Sequence, residues 1–327
     1  MSLEILWFVL IAVLWAGFFF LEGFDFGVGV LQFFLGKNNK ERGTYIFSIT
    51  PYWNGNMVWL LTAGAATFAA FPAWYATFFS SLYTLFVLLL LALIVRGACF
   101  EIRHRANIQK FRFGCDMALA VSSFMAGLLS VLAMANTVTG IPIDANGTFR
   151  GGFLDLIKPL ALLYGLLGVS LFITNGALFL TLRIEGELQE RAFRFAKKSI
   201  IVTVAMFAIT APMVLKFSTV CIVSLVSILV AVPLVYRQYF RTAFICIALC
   251  TAFAVATLFS VLFPNVLISS ISPENNLTIW NSASSALTLK VMSIIAVIFI
   301  PAIMVYQIWS YYVFRKRINP RNANLEV

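Results

Sequence analysis

Nine apolar segments follow one another along the chain, and each is long enough to form a membrane-spanning helix. A span needs about 20 predominantly apolar residues. The first segment is longer than this, so we expect it to cross the membrane and to continue as a polar inner extension from Glu22 onward. Lys216 is the sole interruption between the sixth and seventh segments. The predicted spans are 5–35, 51–72, 74–96, 113–135, 157–182, 199–217, 218–236, 242–264 and 285–314.

The basic residues between these segments orient them in the membrane. With nine spans, all but four of the 23 Lys and Arg residues fall on one side. Because Lys and Arg concentrate in cytoplasmic loops, the pattern predicts a periplasmic N-terminus and a cytoplasmic C-terminus. Fusing the sixth and seventh spans would place basic clusters on both sides, which disfavours a count of eight. The basic segments are 37–42, 96–112, 183–198, 237–241 and the tail from 315, and the exceptions are Arg150, Lys158, Lys216 and Lys290.

Composition agrees with a single integral-membrane domain over residues 1–327. The chain is 61% hydrophobic and 11% charged, whereas soluble domains are about 25% charged. Its net charge of +10 does not indicate a nucleic-acid partner, because the basic residues lie in short loops and not on one soluble face. The sequence therefore predicts an all-α polytopic protein in contact with membrane lipid.

The chain shows no pattern of its own for redox or metal chemistry. His104 is the only histidine, and one loop histidine cannot provide the axial ligands for several haems. Cys246 and Cys250 share a helix face, but no histidine or third cysteine lies near them in sequence. Nucleotide-binding, zinc-binding and nucleophile motifs are absent from the sequence. We therefore expect no metal site, no confident cofactor site and no catalytic residue in this chain alone.

Two acids near the first span are costly in a membrane and need an explanation. Ionisable groups within a span cost about 2.5–3.5 kcal/mol each on insertion scales. Glu22 and Asp25 are three residues apart, so they share a helix face, and Gly23, Gly27 and Gly29 allow a neighbouring helix to approach closely. The pair could be protonatable groups at the cytoplasmic end of the helix. It could equally be an interfacial pair that contacts headgroups or loop arginines.

Polar residues also begin the second span and end the third. Asn54 and Asn56 need hydrogen-bond partners if they are buried, and the neighbouring tryptophans, including Trp59, suit the bilayer interface. Interfacial and capping roles are adequate explanations for this segment. Glu101 follows the third span at the inner boundary, where a salt bridge to a nearby loop arginine, Arg103 or Arg105, is the default expectation.

Four strings of residues, in order, resemble subunit II of the cytochrome bd quinol oxidases. Each string is weak alone, but together they run from the first span to the last and cover nearly the whole chain. The strings are Gly23–Gly29 (GFDFGVG), Pro51–Gly64 (PYWNGNMVWLLTAG) with Phe68–Pro72 (FAAFP), Thr174–Ala177 (TNGA) with Leu182–Ala192 (LRIEGELQERA), and Asn276–Leu289 (NLTIWNSASSALTL).

The resemblance implies a fold of two four-helix bundles plus one additional helix, which agrees with the nine predicted spans. It implies a heterodimer in the bacterial inner membrane, in which the partner, subunit I, holds the b- and d-type haems and the quinol site. That complex oxidises quinol, reduces dioxygen to water and takes protons from the cytoplasm without pumping them. The resemblance leaves open whether a quinone binds in this chain, whether small accessory subunits are present, and whether the quinol is ubiquinol or menaquinol.

The resemblance also implies roles for particular residues. The family places an acid in the Trp-Asp-Gly-Asn motif and another after the third span, both on a cytoplasmic proton route. Glu101 matches the second acid, but Asn54 replaces the first, and an amide cannot release a proton at physiological pH. Asn54 could still orient water, or Asp25 with Glu22 could supply the ionisable group. Trp59 matches a tryptophan at the mouth of an oxygen tunnel.

Two other classes of protein fit parts of the pattern. A secondary transporter or channel would need polar groups that converge near the midplane, often on broken helices, whereas the acids here cluster near the predicted cytoplasmic ends. A purely structural assembly subunit would use the same polar residues only to stabilise its interface with a partner.

Overall fold

The computed structural model of the protein describes residues 2–213 and 219–319. Within these ranges the chain forms eleven α-helices and a short two-stranded antiparallel sheet. This confirms the predicted all-α class. Helices suit a membrane protein because they satisfy their own backbone hydrogen-bonding groups in lipid. The helices are α1 (Leu3–Leu35), α2 (Asn39–Ile49), α3 (Trp53–Ala70), α4 (Pro72–Ser81), α5 (Tyr83–Arg105), α6 (Gln109–Thr139), α7 (Pro159–Arg183), α8 (Glu187–Thr210), α9 (Thr219–Tyr236), α10 (Phe240–Leu262) and α11 (Ala286–Val313); the strands are β1 (Asn265–Leu267) and β2 (Leu277–Thr278).

Seven of the described helices are long and apolar enough to cross a membrane: α1, α5, α6, α7, α9, α10 and α11. Two others, α3 and α8, occupy the places of the second and sixth predicted spans but are too polar to join the seven. The count of nine spans therefore stays a prediction. Its boundary at 217–218, with Lys216, lies outside the described residues.

Two helix boundaries in the first third of the chain differ from the limits of the predicted spans. The third predicted span, 74–96, is two helices, because the backbone leaves the helical conformation at Leu82 between α4 and α5. The second of these, α5, then continues to Arg105, so that Arg96 lies inside a helix. Helix α2 was not predicted; the side chain of Asn38 caps it by accepting a hydrogen bond from the backbone N–H of Glu41 at 2.9 Å.

Helix α1 lies at the centre of the fold and contacts α3, α6, α7 and α10. Its residues from Glu22 through Gln32 are all buried, so the expected polar inner extension is in fact the most enclosed part of the helix. The predicted close approach at the glycines is confirmed where α1 meets α7. A Cβ on Gly176 would lie 2.7 Å from the backbone carbon of Gly27, which is too close for any side chain there.

The remaining helices form two groups around α1. Helices α3 and α6 pack on α1, and α5 packs on α6; helices α7, α8, α9 and α10 pack against one another. Helix α11 lies at the periphery against α1 and α3, and Leu289 is its one buried residue. The indole N–H of Trp7 on α1 ties α11 in place by donating to the carbonyl oxygen of Leu289 at 3.1 Å.

Candidate functional site

Glu22 and Asp25 lie side by side on α1 and are completely buried. The prediction that they share one face is confirmed. Their placement at the cytoplasmic end stays a prediction; α1 continues for ten residues beyond Asp25 to Leu35, as the predicted segment 5–35 does. Contact with lipid headgroups does not fit, since neither carboxyl group reaches the surface of the protein. The expected contact with an inner arginine does occur, because Glu22 binds Arg96 of the basic segment 96–112.

Arg96 from α5 supplies the counter-charge for this pair. Its Nη1 donates a short hydrogen bond to Oε1 of Glu22, and the two side chains are 1% and 0% exposed. The guanidinium carbon lies 4.9 Å from the ring centre of Phe26 and 5.3 Å from that of Phe100. Cation–π contacts of this kind stabilise a desolvated guanidinium. By sequence alone Arg96 belongs to the inner basic residues; its place at the end of an apolar run is the sequence feature that marks it as a candidate for burial.

Asn56 from α3 holds Asp25 in position. Its amide nitrogen donates to Oδ2 of Asp25 at 2.7 Å and to the carbonyl oxygen of Leu21 at 3.3 Å. Its amide oxygen accepts hydrogen bonds from Gln307 and Tyr311 of α11, both at 2.9 Å. We call Glu22, Asp25, Asn56 and Arg96, with Gln307 and Tyr311 behind them, the acid cluster.

The structure places the two other proposed proton-route residues outside this cluster. Asn54 precedes Asn56 by two positions but is exposed. The expectation that both asparagines serve as caps or interfacial groups therefore fails for Asn56. Glu101 is also exposed, and among the described residues it forms no salt bridge, because the guanidinium of Arg103 turns inward to another acid.

That acid is Asp116, which was not among the predicted site residues although it lies inside a predicted span. Nε of Arg103 donates to Oδ1 of Asp116, and Nη1 of Arg42 lies 3.6 Å from Oδ2. Gln32 of α1 donates to the backbone oxygen of Asp116 at 2.6 Å. The Arg103 guanidinium also binds the carbonyl oxygen of Asn39 at 2.9 Å, which attaches α2 to α5. We call Gln32, Arg42, Arg103 and Asp116 the arginine cluster.

Several polar atoms of the acid cluster have no hydrogen-bond partner among the described residues. They are Oε2 of Glu22, Oδ1 of Asp25, and Nε and Nη2 of Arg96. Buried polar groups are nearly always hydrogen-bonded to protein or to ordered water, and a polar buried space favours water. Among the described residues, the cluster therefore has unpartnered donor and acceptor atoms next to two carboxyl groups, and proton transfer requires such atoms within hydrogen-bond reach.

Outside the helical spans, the pKa shift of Glu41 has a clear cause. Two hydrogen bonds from the Arg191 guanidinium, at 2.6 and 2.9 Å, hold the pKa of Glu41 on α2 below its ordinary value. This pair fastens α2 to the first turns of α8.

Trp59 is half-buried on α3 and packs against α1 at Gly17, where an added Cβ would overlap its ring. A mainly apolar cavity of about 400 Å³ lies between α6, α7 and α10, but Trp59 is not among the residues that line it. Across residues 2–213 and 219–319, His, Cys, Asp and Glu side chains form no group of three that could hold a metal ion.

Comparison with known proteins identifies clear relatives. The family model described as cytochrome bd terminal oxidase subunit II matches residues 3–314. The chain is 38% identical to cytochrome bd ubiquinol oxidase subunit 2 of Bacillus subtilis, with 97% of each chain covered. It is 33% identical to cytochrome bd-I ubiquinol oxidase subunit 2 of Escherichia coli, with 97% of this chain and 95% of that protein covered. A chain in the structure of bd oxidase from Geobacillus thermodenitrificans has the same fold, with a TM-score of 0.77, 17% identity, and coverage of 96% of this chain and 97% of that one.

Proposed function

Because this chain belongs to the cytochrome bd terminal oxidase subunit II family, we propose that it pairs with a haem-bearing subunit I to form a quinol:oxygen oxidoreductase. The haems b and d and the quinol site belong to subunit I in this proposal. The complex oxidises quinol, reduces dioxygen to water and lies in the bacterial inner membrane. The N-terminus of this chain is periplasmic and its C-terminus is cytoplasmic, in agreement with the distribution of basic residues.

The buried acid cluster is the observation that supports an active contribution from this chain. Two carboxyl groups inside a membrane protein are expensive and usually belong to an ion or proton pathway. We propose that Asp25 and Glu22 form the buried section of a proton route from the cytoplasm toward the haems. A purely structural subunit would not need a carboxyl group without a cation at salt-bridge distance, and Asp25 has none in the described part of the chain.

Glu101 is the proposed entrance of this route. It is exposed on α5, five residues beyond Arg96 and therefore about 7.5 Å farther along the helix axis. Water molecules would connect it to the unpartnered atoms of the acid cluster. Asn54 is exposed and cannot ionise, so in this proposal it orients water and is not a proton carrier.

Trp59 is the residue that we propose for oxygen access. Its half-buried ring lies on α3 against α1, and an apolar passage beside it would suit dioxygen, which is apolar. The same position also suits an interfacial tryptophan. Replacing Trp59 with phenylalanine and measuring turnover against oxygen concentration separates these two roles, because only a passage would change the KM for oxygen.

The proton-route proposal is tested in the intact complex, co-expressed with subunit I and solubilised gently. An optical spectrum must first show a co-purifying partner with d-type haem; a colourless lone chain would overturn the oxidase assignment and favour a transporter. Quinol oxidase turnover is then measured for Asp25→Asn and Glu101→Gln. Loss of a positioned proton-transfer group costs on the order of 100-fold in rate, and we expect this for Asp25→Asn, with a smaller loss for Glu101→Gln.

The matched control is Glu190→Gln, which removes an exposed acid in the first turn of α8. Haem content per complex is measured for every variant. Full turnover in both Asp25→Asn and Glu101→Gln would reject the route. Loss of haem together with turnover would instead indicate a role in assembly.

A further inference from the structure

The acid cluster contains one more acid than base. Glu22 and Asp25 are its two carboxyl groups, and Arg96 is its one cation. Asp25 accepts a hydrogen bond from the neutral amide of Asn56 on α3, and the oxygen of that amide accepts one from the phenol of Tyr311 on α11. The Arg96 guanidinium on α5 attracts Asp25 from beyond salt-bridge distance. Charges interact strongly in a low-dielectric interior, so an electrically neutral cluster holds one proton on one of the two carboxyl groups.

The hydrogen-bond geometry distinguishes the two acids. Oε1 of Glu22 accepts a hydrogen bond directly from the Arg96 guanidinium. Asp25 accepts one from the Asn56 amide, and its other oxygen, Oδ1, has no partner among the described residues. The charge of Glu22 is therefore compensated at contact distance, whereas Asp25 is held by a neutral donor and has an oxygen open to a proton.

The position of Arg96 is itself fixed. Its guanidinium lies against the rings of Phe26 and Phe100, and one of its two terminal nitrogens is committed to Glu22. A planar, permanently charged guanidinium in such a setting stays ionised and keeps one orientation. It can therefore select the carboxyl group that remains charged.

We propose that Arg96 is a positioning residue which keeps Glu22 as a permanent carboxylate and so leaves Asp25 as the acid that gains and loses the proton. This rests on the proton route proposed above and assigns different roles to its two buried acids. The proton that reaches the cluster binds a carboxylate oxygen of Asp25 and leaves from the same group, so no other bond is made or broken.

The first test is infrared spectroscopy of the purified complex, because a protonated carboxyl group has a C=O stretching band that a carboxylate lacks. We expect a band in the unmodified complex that disappears in Asp25→Asn. Arg96→Gln removes the cation, so both acids should be protonated and a second band should appear. That second band should vanish when Glu22→Gln is added to Arg96→Gln, while the Asp25 band remains.

The second test is turnover in the same variants. Arg96→Gln alone should lose activity by about tenfold, a modest share of the effect of a proton-transfer group, because two protonated acids no longer behave as one exchangeable site. Glu22→Gln alone should also lose activity, because Asp25 then becomes the carboxylate that balances Arg96. The double variant Glu22→Gln/Arg96→Gln restores a single neutral acid and should recover turnover relative to both single variants. Arg96→Lys retains the charge and serves as the control for folding.

The outcomes separate this inference from the function on which it rests. A spectrum that is unaltered by Arg96→Gln, or a double variant no more active than Glu22→Gln alone, would overturn the assignment and make Glu22 a carrier in its own right. If Asp25→Asn removes the infrared band but leaves turnover intact, the assignment of the proton stands and the proton route fails. If Arg96→Gln loses haem, the assignment is tested in Arg96→Lys instead. That variant keeps the positive charge, so the Asp25 infrared band must persist in it.

Discussion

The acid cluster and the arginine cluster contain the same kinds of groups in opposite proportions. The acid cluster has two carboxyl groups around Arg96, whereas the arginine cluster has two guanidinium groups around Asp116. Asp116 contacts both cations, and Arg103 continues to the backbone of α2. A surplus acid can bind a proton, but a surplus guanidinium cannot release one at physiological pH. The comparison indicates that one cluster is suited to proton transfer and the other to holding helices together.

The strongest test of this contrast is Asp116→Asn. It leaves Arg42 and Arg103 without a negative charge in a site where Asp116 is completely buried. Removing one partner of a buried ion pair typically costs about 3–5 kcal/mol. We expect a large loss of thermal stability and of haem-loaded complex, measured by thermal unfolding in detergent and by haem content. A complex of normal stability with slow turnover would mean that the arginine cluster also has a role in catalysis.

Asn56→Ala tests the acid cluster without changing its charge. The substitution removes the amide that binds Asp25, Gln307 and Tyr311, so Asp25 should lose its fixed orientation. We expect turnover to fall by about tenfold while haem content is retained, since misplacing a proton-transfer group reduces the rate without dismantling the site. The matched control is Val58→Ala, two residues later on the same helix and exposed. Equal losses in both variants would show that α3, and not the cluster, is the sensitive element.

The smallest effect is expected at Glu41 and Arg191, an ion pair between α2 and α8 that is partly accessible to water. Because folding lowers the pKa of Glu41 below its ordinary value of 4.5, the pair stabilises the fold above that pH and loses its contribution as pH falls through the lower folded value. Partly exposed pairs contribute about 0–1 kcal/mol. The unfolding temperatures of the unmodified complex and Glu41→Gln should therefore differ slightly at pH 7 and converge as the pH falls below 4.5 and through the lower folded pKa of Glu41. A constant difference across this range would contradict the assignment.

Much of the architecture follows from local pattern. Runs of apolar residues identify the helices that can cross a membrane. A helix satisfies its own backbone hydrogen bonds in lipid, so its length and apolarity alone decide whether it can span. The spacing of Glu22 and Asp25 places them on one face, and the glycines around them allow α7 to approach. The helix break at Leu82 was not predicted, because the apolar run continues through it. Helix α2 and its cap at Asn38 were not predicted, because the segment is short and polar.

The sequence by itself determined that this is an apolar, all-α chain with costly acids on its first helix. Only the tertiary structure decided which groups meet those acids, because Arg96 is 74 residues from Glu22 and Asn56 is 31 residues from Asp25. Helical periodicity determines the face on which a residue lies. Two residues that are two positions apart point in directions about 200° apart around the helix axis. This is why Asn56 faces Asp25 while Asn54 faces outward. The docking of α1, α3, α5 and α11 determines which faces come together, and that depends on packing between segments far apart in the chain.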